Sequence, residues 1–183
     1  MDIKLKKIET ERLVLRKLKK SDLNDYVEWR ANPEYHKFLS SRAKKNIEEY
    51  QNVIESAVES YSDPNTLPYW AVELKNIKKM IGFVSVEECL KKHKSITMGW
   101  GLNLDFQGYG YAYESVRAVI NYLFNEYDIH RIEVSIWEGN ERSRKLAEKL
   151  GFIYEGMGRE ARLKEGRFIN NWRFSLLKPE WKN

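Results

Sequence analysis

Leu102-Asn103-Leu104-Asp105-Phe106-Gln107-Gly108-Tyr109-Gly110-Tyr111-Ala112 is the stretch on which the reading of this chain turns. Ahead of it, Ile96–Leu102 has the composition of a strand. Behind it, Gly110–Tyr127 carries Val116, Val119, Ile120 and Leu123 as one apolar stripe and predicts the strongest helix of the chain. Gly108 and Gly110 let the backbone turn sharply and leave its N–H groups open. Those donors, together with the positive end of the helix dipole, favour an anion such as a pyrophosphate. No Lys-Ser/Thr follows the glycines, which excludes a nucleotide-hydrolysing phosphate loop, and the three-glycine dinucleotide pattern is missing. Alone, the stretch is equally compatible with a plain loop and a flexible helix entry.

Downstream, Ile132–Trp137 is a strand rich in β-branched residues. The intervening helix acts as a crossover, so Ile96–Leu102 and Ile132–Trp137 are expected as parallel neighbours. Asn140 then caps a helix over Asn140–Leu150, and Gly151 lies just past its end. Strands from Ile153 and over Phe168–Leu177 follow, joined by a hairpin at Lys164-Glu165-Gly166. Upstream, Arg12–Leu18 reads as a first strand, Ser21 as the cap of a helix that Asn32-Pro33 ends, and Lys45–Tyr61 as a second helix. Tyr69–Leu74 and Ile81–Val86 complete an antiparallel meander with Ile96–Leu102. The predicted order, β-α-α-β-β-β-α-β-α-β-β, is α+β: a mixed, mainly antiparallel sheet flanked by helices, in one domain over residues 1–183. No repeat or linker interrupts it.

Composition narrows the function. The 183 residues are 42% hydrophobic and 13% aromatic, which argues against disorder. Cys89 is the only cysteine, and His36, His93 and His130 are scattered, so neither a disulfide nor a metal site is expected. No apolar run reaches membrane-spanning length, and Met1–Lys7 lacks the apolar stretch of a signal peptide, so a reduced, cytoplasmic setting is expected. The net charge of +5 and pI of about 9.1 admit a phosphorylated ligand. Acidic residues interspersed along the chain argue against a nucleic-acid-binding face.

A second stretch raises the specificity. Asn140-x-x-Ser143 is followed by Lys149-Leu150-Gly151-Phe152. Together with Gln107-Gly108-Tyr109-Gly110-Tyr111-Ala112, in this order, it resembles the two cofactor segments of the GCN5-related N-acetyltransferases. Glu9-Thr10-Glu11-Arg12-Leu13-Val14-Leu15-Arg16, Ile129–Glu133, Tyr154-Glu155-Gly156 and Ser175–Trp181 are similar to the subgroup that contains ribosomal-protein N-terminal acetyltransferases. The resemblance covers nearly the whole chain.

It implies acetyl-CoA as cosubstrate and no metal. The strand ending in Gly99-Trp100-Gly101-Leu102 would splay from Ile132–Trp137, and the pantetheine arm would lie in the gap like an added strand. Gln107, Gly108, Tyr109, Gly110, Tyr111 and Ala112 would hold the pyrophosphate. Asn140 would bond the pantetheine, and Arg142, Arg144 or Lys145 would reach the adenosine-phosphate end. A neutral amine would attack the thioester directly, which requires a base for the amine and a proton or hydrogen bond for the departing thiolate. Ala147 replaces the tyrosine acid of many relatives, which leaves Ser143 for the thiolate. The usual glutamate is also missing at Thr97-Met98-Gly99-Trp100, so Glu88, Glu133 and Glu160 are candidate bases beside water. Asn170 and Phe174 replace an aspartate and a tyrosine. The implied acceptor is a protein N-terminus or a small amine, with no nucleic acid or membrane partner. A homodimer is implied by the relatives alone. The competing reading is a catalytically silent acyl-CoA-binding protein.

Overall fold

The computed structural model describes residues 2–182. Its strands are β1 (Ile8–Glu9), β2 (Leu13–Arg16), β3 (Tyr69–Leu74), β4 (Lys79–Leu90), β5 (Ser95–Leu102), β6 (Arg131–Trp137), β7 (Ile153–Lys164) and β8 (Arg167–Leu177). Its α-helices are α1 (Leu23–Arg30), α2 (Ile47–Ser60), α3 (Tyr111–Glu126) and α4 (Glu141–Lys149). The strands form one eight-stranded sheet in the order β1-β2-β3-β4-β5-β6-β8-β7. Every neighbouring pair is antiparallel except β5 and β6, which the α3 crossover makes parallel. The expected mixed α+β architecture is therefore present.

The two sheet faces have separate cores. On one, Val116, Val119, Ile120 and Leu123 of α3 are fully buried against Leu13, Leu15, Val84, Ile96 and Ile132. On the other, Tyr26 and Trp29 of α1 and Tyr50 and Ile54 of α2 pack over Ala71 and Met80. Each such large apolar side chain contributes about 1.5–3 kcal/mol on burial. Strand alternation divides β5 accordingly. Ile96 and Met98 point into the α3 core, so Gly99 and Gly101 are turned toward the α1–α2 face.

Local chemistry explains where the element boundaries moved. Ser21 does not cap α1. A 3-10 turn over Lys20–Asp22 precedes the helix, and Asp22 Oδ2 accepts the Lys19 N–H at 2.8 Å. Arg16 ends β2 early because its guanidinium turns inward to Asp22. Asn46 caps α2 by accepting the Glu49 N–H at 3.0 Å. β4 runs past Val86 to Leu90 through a bulge between Val86 and Glu88. The β7–β8 hairpin closes on Glu165 and Gly166, whose φ values of 51° and 78° suit a two-residue turn.

One feature of the sheet positions the site. β5 and β6 pair only at Ser95↔Arg131, Ile96↔Ile132 and Thr97↔Glu133. Beyond Thr97 they separate, β5 staying on β4 as far as Leu102 and β6 on β8 as far as Trp137. The sheet thus opens a wedge between Met98–Leu102 and Val134–Trp137, each side presenting an unpaired strand edge.

Candidate active site at the strand wedge

The wide end of the wedge leads to the Gln107–Ala112 turn. Gly108 and Gly110 have φ of 89° and 84°, a region where side chains are strained. A Cβ on Gly108 would meet nothing within 4 Å, so the space over the turn is open. Gln107 donates its backbone N–H to the Leu104 carbonyl, but the N–H groups of Gly108, Tyr109, Gly110, Tyr111 and Ala112 donate to no group among the described residues. A row of free donors at the start of a sixteen-residue helix could hold an anion through backbone alone. It fits a pyrophosphate, and the open edges of β5 and β6 fit an extended amide-bearing arm.

The first turn of α4 meets this loop directly. Arg142 Nη1 donates to Gln107 Oε1 at 2.6 Å, and Gln107 Nε2 donates to the Leu102 carbonyl at 3.3 Å. One side chain therefore ties the end of β5, the anion loop and α4 together. Asn140 caps α4, its Oδ1 accepting the Ser143 N–H at 3.3 Å. That leaves its amide nitrogen and the Ser143 hydroxyl without a partner among the described residues. Ala147, one turn further along α4, is fully buried. Trp100 lies on the α3 side of the wedge, its ring 6.4 Å from that of Phe152. Tyr109 is 64% exposed beside Tyr111, with ring centroids 5.9 Å apart.

The N-terminal motif explains how the loop is held. Glu114, in the first turn of α3, accepts from Thr10 Oγ1 at 2.6 Å, from the Arg12 N–H at 2.9 Å and from Arg12 Nε at 2.6 Å. Arg12 Nη1 also donates to the Tyr109 carbonyl at 3.0 Å, and its guanidinium lies 4.6 Å from the Tyr111 ring centroid. Burial pushes the Glu114 carboxyl up, but these donors outweigh it and hold it below its ordinary value. A carboxylate depressed in the folded state contributes stability above its unfolded pKa and loses it as pH falls through the folded one. Glu114→Gln should therefore cost about 1–3 kcal/mol at neutral pH. In urea titrations the deficit should shrink toward the acid side, and calorimetry should show weaker acetyl-CoA binding.

The α1–α2 side of the wedge is lined differently. Gly101 faces Phe83, and Gly99 faces Ser85. A Cβ on Gly101 would collide with Tyr35 Oη and the Phe83 ring, and one on Gly99 with Glu87 Oε1. Glu87 is the extra residue of the β4 bulge, which turns its carboxyl head onto Gly99 at the point where the wedge begins. The residue is exposed overall, yet loss of water around the head raises its pKa, with Arg162 pulling the other way. Sequence reading missed Glu87, since regular alternation carries no sign of a bulge.

The carboxylates expected from sequence sit elsewhere. Glu88 is exposed opposite Thr97, whose hydroxyl is 3.5 Å from Glu88 Oε2. Glu133 is paired with Arg131 Nε at 2.5 Å, and Arg131 also binds Glu155. Both lie at the closed end of the wedge, beside the last β5–β6 pair. Glu160 holds a positive φ of 50° and donates its N–H to Asn170 Oδ1 at 2.8 Å. Asn170 also donates to Glu138 at 3.0 Å and so staples the β7 bulge to the end of β6. Phe174 is buried core.

The β7–β8 hairpin roofs this side. Lys164 Nζ donates to the His36 carbonyl and, at 3.1 Å, to that of Lys37. Phe38, in the same loop, would be 3.5 Å from a Cβ on Gly139 at the β6–α4 turn. Among the described residues no group of three or more His, Cys, Asp or Glu is placed to hold a metal. Among the described residues no helix is long and apolar enough to cross a membrane.

Comparison with known proteins gives a consistent picture. A family model described as "Acetyltransferase (GNAT) domain" matches residues 12–153. The uncharacterized N-acetyltransferase YoaA of Bacillus subtilis is 25% identical over 172 residues, 94% of this chain and 97% of its own. The [ribosomal protein uS5]-alanine N-acetyltransferase of Escherichia coli is 28% identical over 105 residues, 57% of this chain and 54% of its own. The fold matches that of RimL, a ribosomal L7/L12 alpha-N-protein acetyltransferase solved with coenzyme A, at a TM-score of 0.82 and 19% identity, covering 94% of this chain and 98% of that one.

Proposed function

The chain belongs to the acetyltransferase (GNAT) family, and on that premise we propose how its wedge moves an acetyl group from acetyl-CoA to a primary amine. The observation that carries the reading is the junction at Gln107. There the diverging β5 edge, the free N–H groups of Gly108–Ala112 and the first turn of α4 meet through the Arg142 and Leu102 hydrogen bonds.

Acetyl-CoA supplies an activated thioester, and the protein orients and deprotonates around it. The N–H groups of Gly108 to Ala112, with Arg142 and Gln107 beside them, hold the pyrophosphate. Trp100, Gly101 and Leu102 offer the β5 edge to the pantetheine amides, and Asn140 adds its free side-chain nitrogen. Glu87, near the start of the wedge on the acceptor side, takes the proton from the ammonium form of the acceptor. The amine nitrogen then bonds to the acetyl carbon as the carbon–sulfur bond breaks, and the second proton that nitrogen must lose passes to the departing thiolate, which leaves as free coenzyme A. Ser143 stands on the α4 side and donates a hydrogen bond to the departing sulfur. Glu88 and Glu133, at the closed end, support the strands around this path. The setting proposed for the reaction is cytoplasmic.

Thiol release and product mass, followed over a panel of peptides with free N-termini, amino acids, polyamines and aminoglycosides, test the reading. Acetylation of one class establishes the activity and its acceptor. Tight acetyl-CoA binding without turnover on any amine would favour a silent acyl-CoA-binding protein. Ser143→Ala should lower kcat about 10- to 100-fold while acetyl-CoA binding, measured by calorimetry, stays within about twofold.

A further inference from the structure

Behind Gly101 the α1–α2 face holds a cation with no counter-ion. Arg30 is the last residue of α1. Its guanidinium carbon lies 5.2, 5.0, 5.1 and 5.2 Å from the ring centroids of Tyr26, Trp29, Tyr35 and Phe83. No carboxylate pairs with it among the described residues. Arg16, buried on the neighbouring strand, is by contrast matched to two acids, Asp22 at 2.8 Å and Glu73 at 2.6 Å. Arg30 is half-buried, and a guanidinium drawn that far from water for a purely structural role is expected to be matched in that way.

The unpaired donors converge on this one cluster. Among the described residues four buried side-chain polar atoms lack a partner, and three of them are Trp29 Nε1, Arg30 Nε and Tyr69 Oη. Such atoms are rare in folded proteins and call for an explanation. The Arg30 head interacts with the Tyr69 hydroxyl beside it, but that neutral phenol is no counter-ion, and Arg30 as a residue is only half-buried, so its head is not wholly sealed from solvent. The neighbouring phenols do not supply a negative charge. Burial pushes Tyr35 up to about 12 and Tyr69 well above its ordinary value, against the pull of Arg30. The group that would satisfy this cluster is an anion from outside.

The cluster adjoins the acceptor side of the wedge. Phe83 and Tyr35, which flank Arg30, are the side chains packed on Gly101. Gly99, where Glu87 rests, lies on the same face two residues away, about 7 Å along the strand. One face therefore offers a carboxylate for an amine at Gly99 and a cation beyond Gly101.

We propose that Arg30 binds a carboxylate on the acceptor, so that this enzyme acetylates amines carrying a carboxylate several bonds from the reacting nitrogen. The proposal rests on the acetyl-transfer reading and specifies its substrate class. Two sources offer this spacing: a free diamino acid such as lysine, and a peptide N-terminus followed by Asp or Glu. Arg30 is the specificity-determining residue for both.

The test compares kcat/KM for matched acceptors with saturating acetyl-CoA: lysine against cadaverine, and Ala-Asp-Ala amide against Ala-Asn-Ala amide. The wild-type protein should prefer the carboxylate member of one pair by about 10- to 100-fold, the size expected for a charge-assisted hydrogen bond, and the pair concerned identifies the source. Arg30→Met should bring that ratio close to one, chiefly through KM. Should a thermal melt show that Arg30→Met does not fold, the wild-type ratios decide by themselves. Equal use of the acid and neutral members by the wild type overturns the proposal, as does a ratio that survives in a folded Arg30→Met. Absence of turnover on all four acceptors with acetyl-CoA bound also overturns it. Failure to bind acetyl-CoA at all overturns the acetyl-transfer reading instead.

Discussion

Glu87→Gln should reduce kcat by about 10²- to 10⁴-fold, the range a positioned general base contributes, with acetyl-CoA affinity unchanged. The amide keeps the shape that fills the space over Gly99 and loses only the ability to take a proton. The pH profile supplies a second signature. Loss of water around the head raises the Glu87 carboxyl above its ordinary value, and Arg162 restrains it. A base must be deprotonated to act, so activity should rise with pH through a limb displaced upward from the ordinary glutamate value. That limb should vanish in Glu87→Gln. In Arg162→Ala it should move to higher pH, since the cation that lowers the Glu87 pKa is gone. Glu133→Gln and Glu88→Gln at the closed end of the wedge should each change kcat by less than about tenfold. A limb that persists unchanged in Glu87→Gln would move the base to another group.

Arg16→Met should be the most destabilising of these substitutions, at about 3–5 kcal/mol. Arg16 and Asp22 are 8% and 4% exposed, and Arg16 donates to both Asp22 oxygens at 2.8 Å and to Glu73 Oε2 at 2.7 Å. Its Nη1 also bonds the Lys17 carbonyl at 3.0 Å. Removing the guanidinium strands the Asp22 charge in the interior and leaves Glu73 short of its partner. The cost of an orphaned buried charge exceeds the worth of the pair itself. For a chain of this length the loss corresponds to a fall in Tm of roughly 6–20 °C, readable by calorimetry. Because β2 and the turn into α1 meet at this ion pair, the α1–α2 face should loosen first. Hydrogen exchange at Lys19 and Met80, whose N–H groups bond Asp22 and Asp25, would report it. A shift of less than about 2 °C would mean that water reaches the ion pair.

Much of this architecture is legible in the chain because it is written in local chemistry. The stripe of Val116, Val119, Ile120 and Leu123 specifies α3 through its period. Asn140 and Gly151 mark both ends of α4, and the crossover between β5 and β6 dictates a parallel pair. The Gln107–Ala112 turn could be read as an anion loop because glycine at positive φ and a helix start are short-range features. The same holds for the pairing of Asn140 with Ser143.

What the sequence alone determined is thus the order and type of most elements and the mixed sheet, and it offered two segments that resemble the family's cofactor motif. Three decisive matters came only from the tertiary structure. The bulge at Glu87 depends on how β4 registers against β5, a contact between strands, so Glu88, Glu133 and Glu160 stood as the candidate bases and Glu87 did not. The role of Thr10 and Arg12 emerged once β2 was laid beside α3, placing them on Glu114 from a hundred residues away in sequence. The uncompensated charge of Arg30 is a property of its surroundings, because a guanidinium has the same composition whether paired like Arg16 or left among rings. Each is a long-range juxtaposition, and the energies that decide it, desolvation and charge pairing, are set by which groups fold against one another.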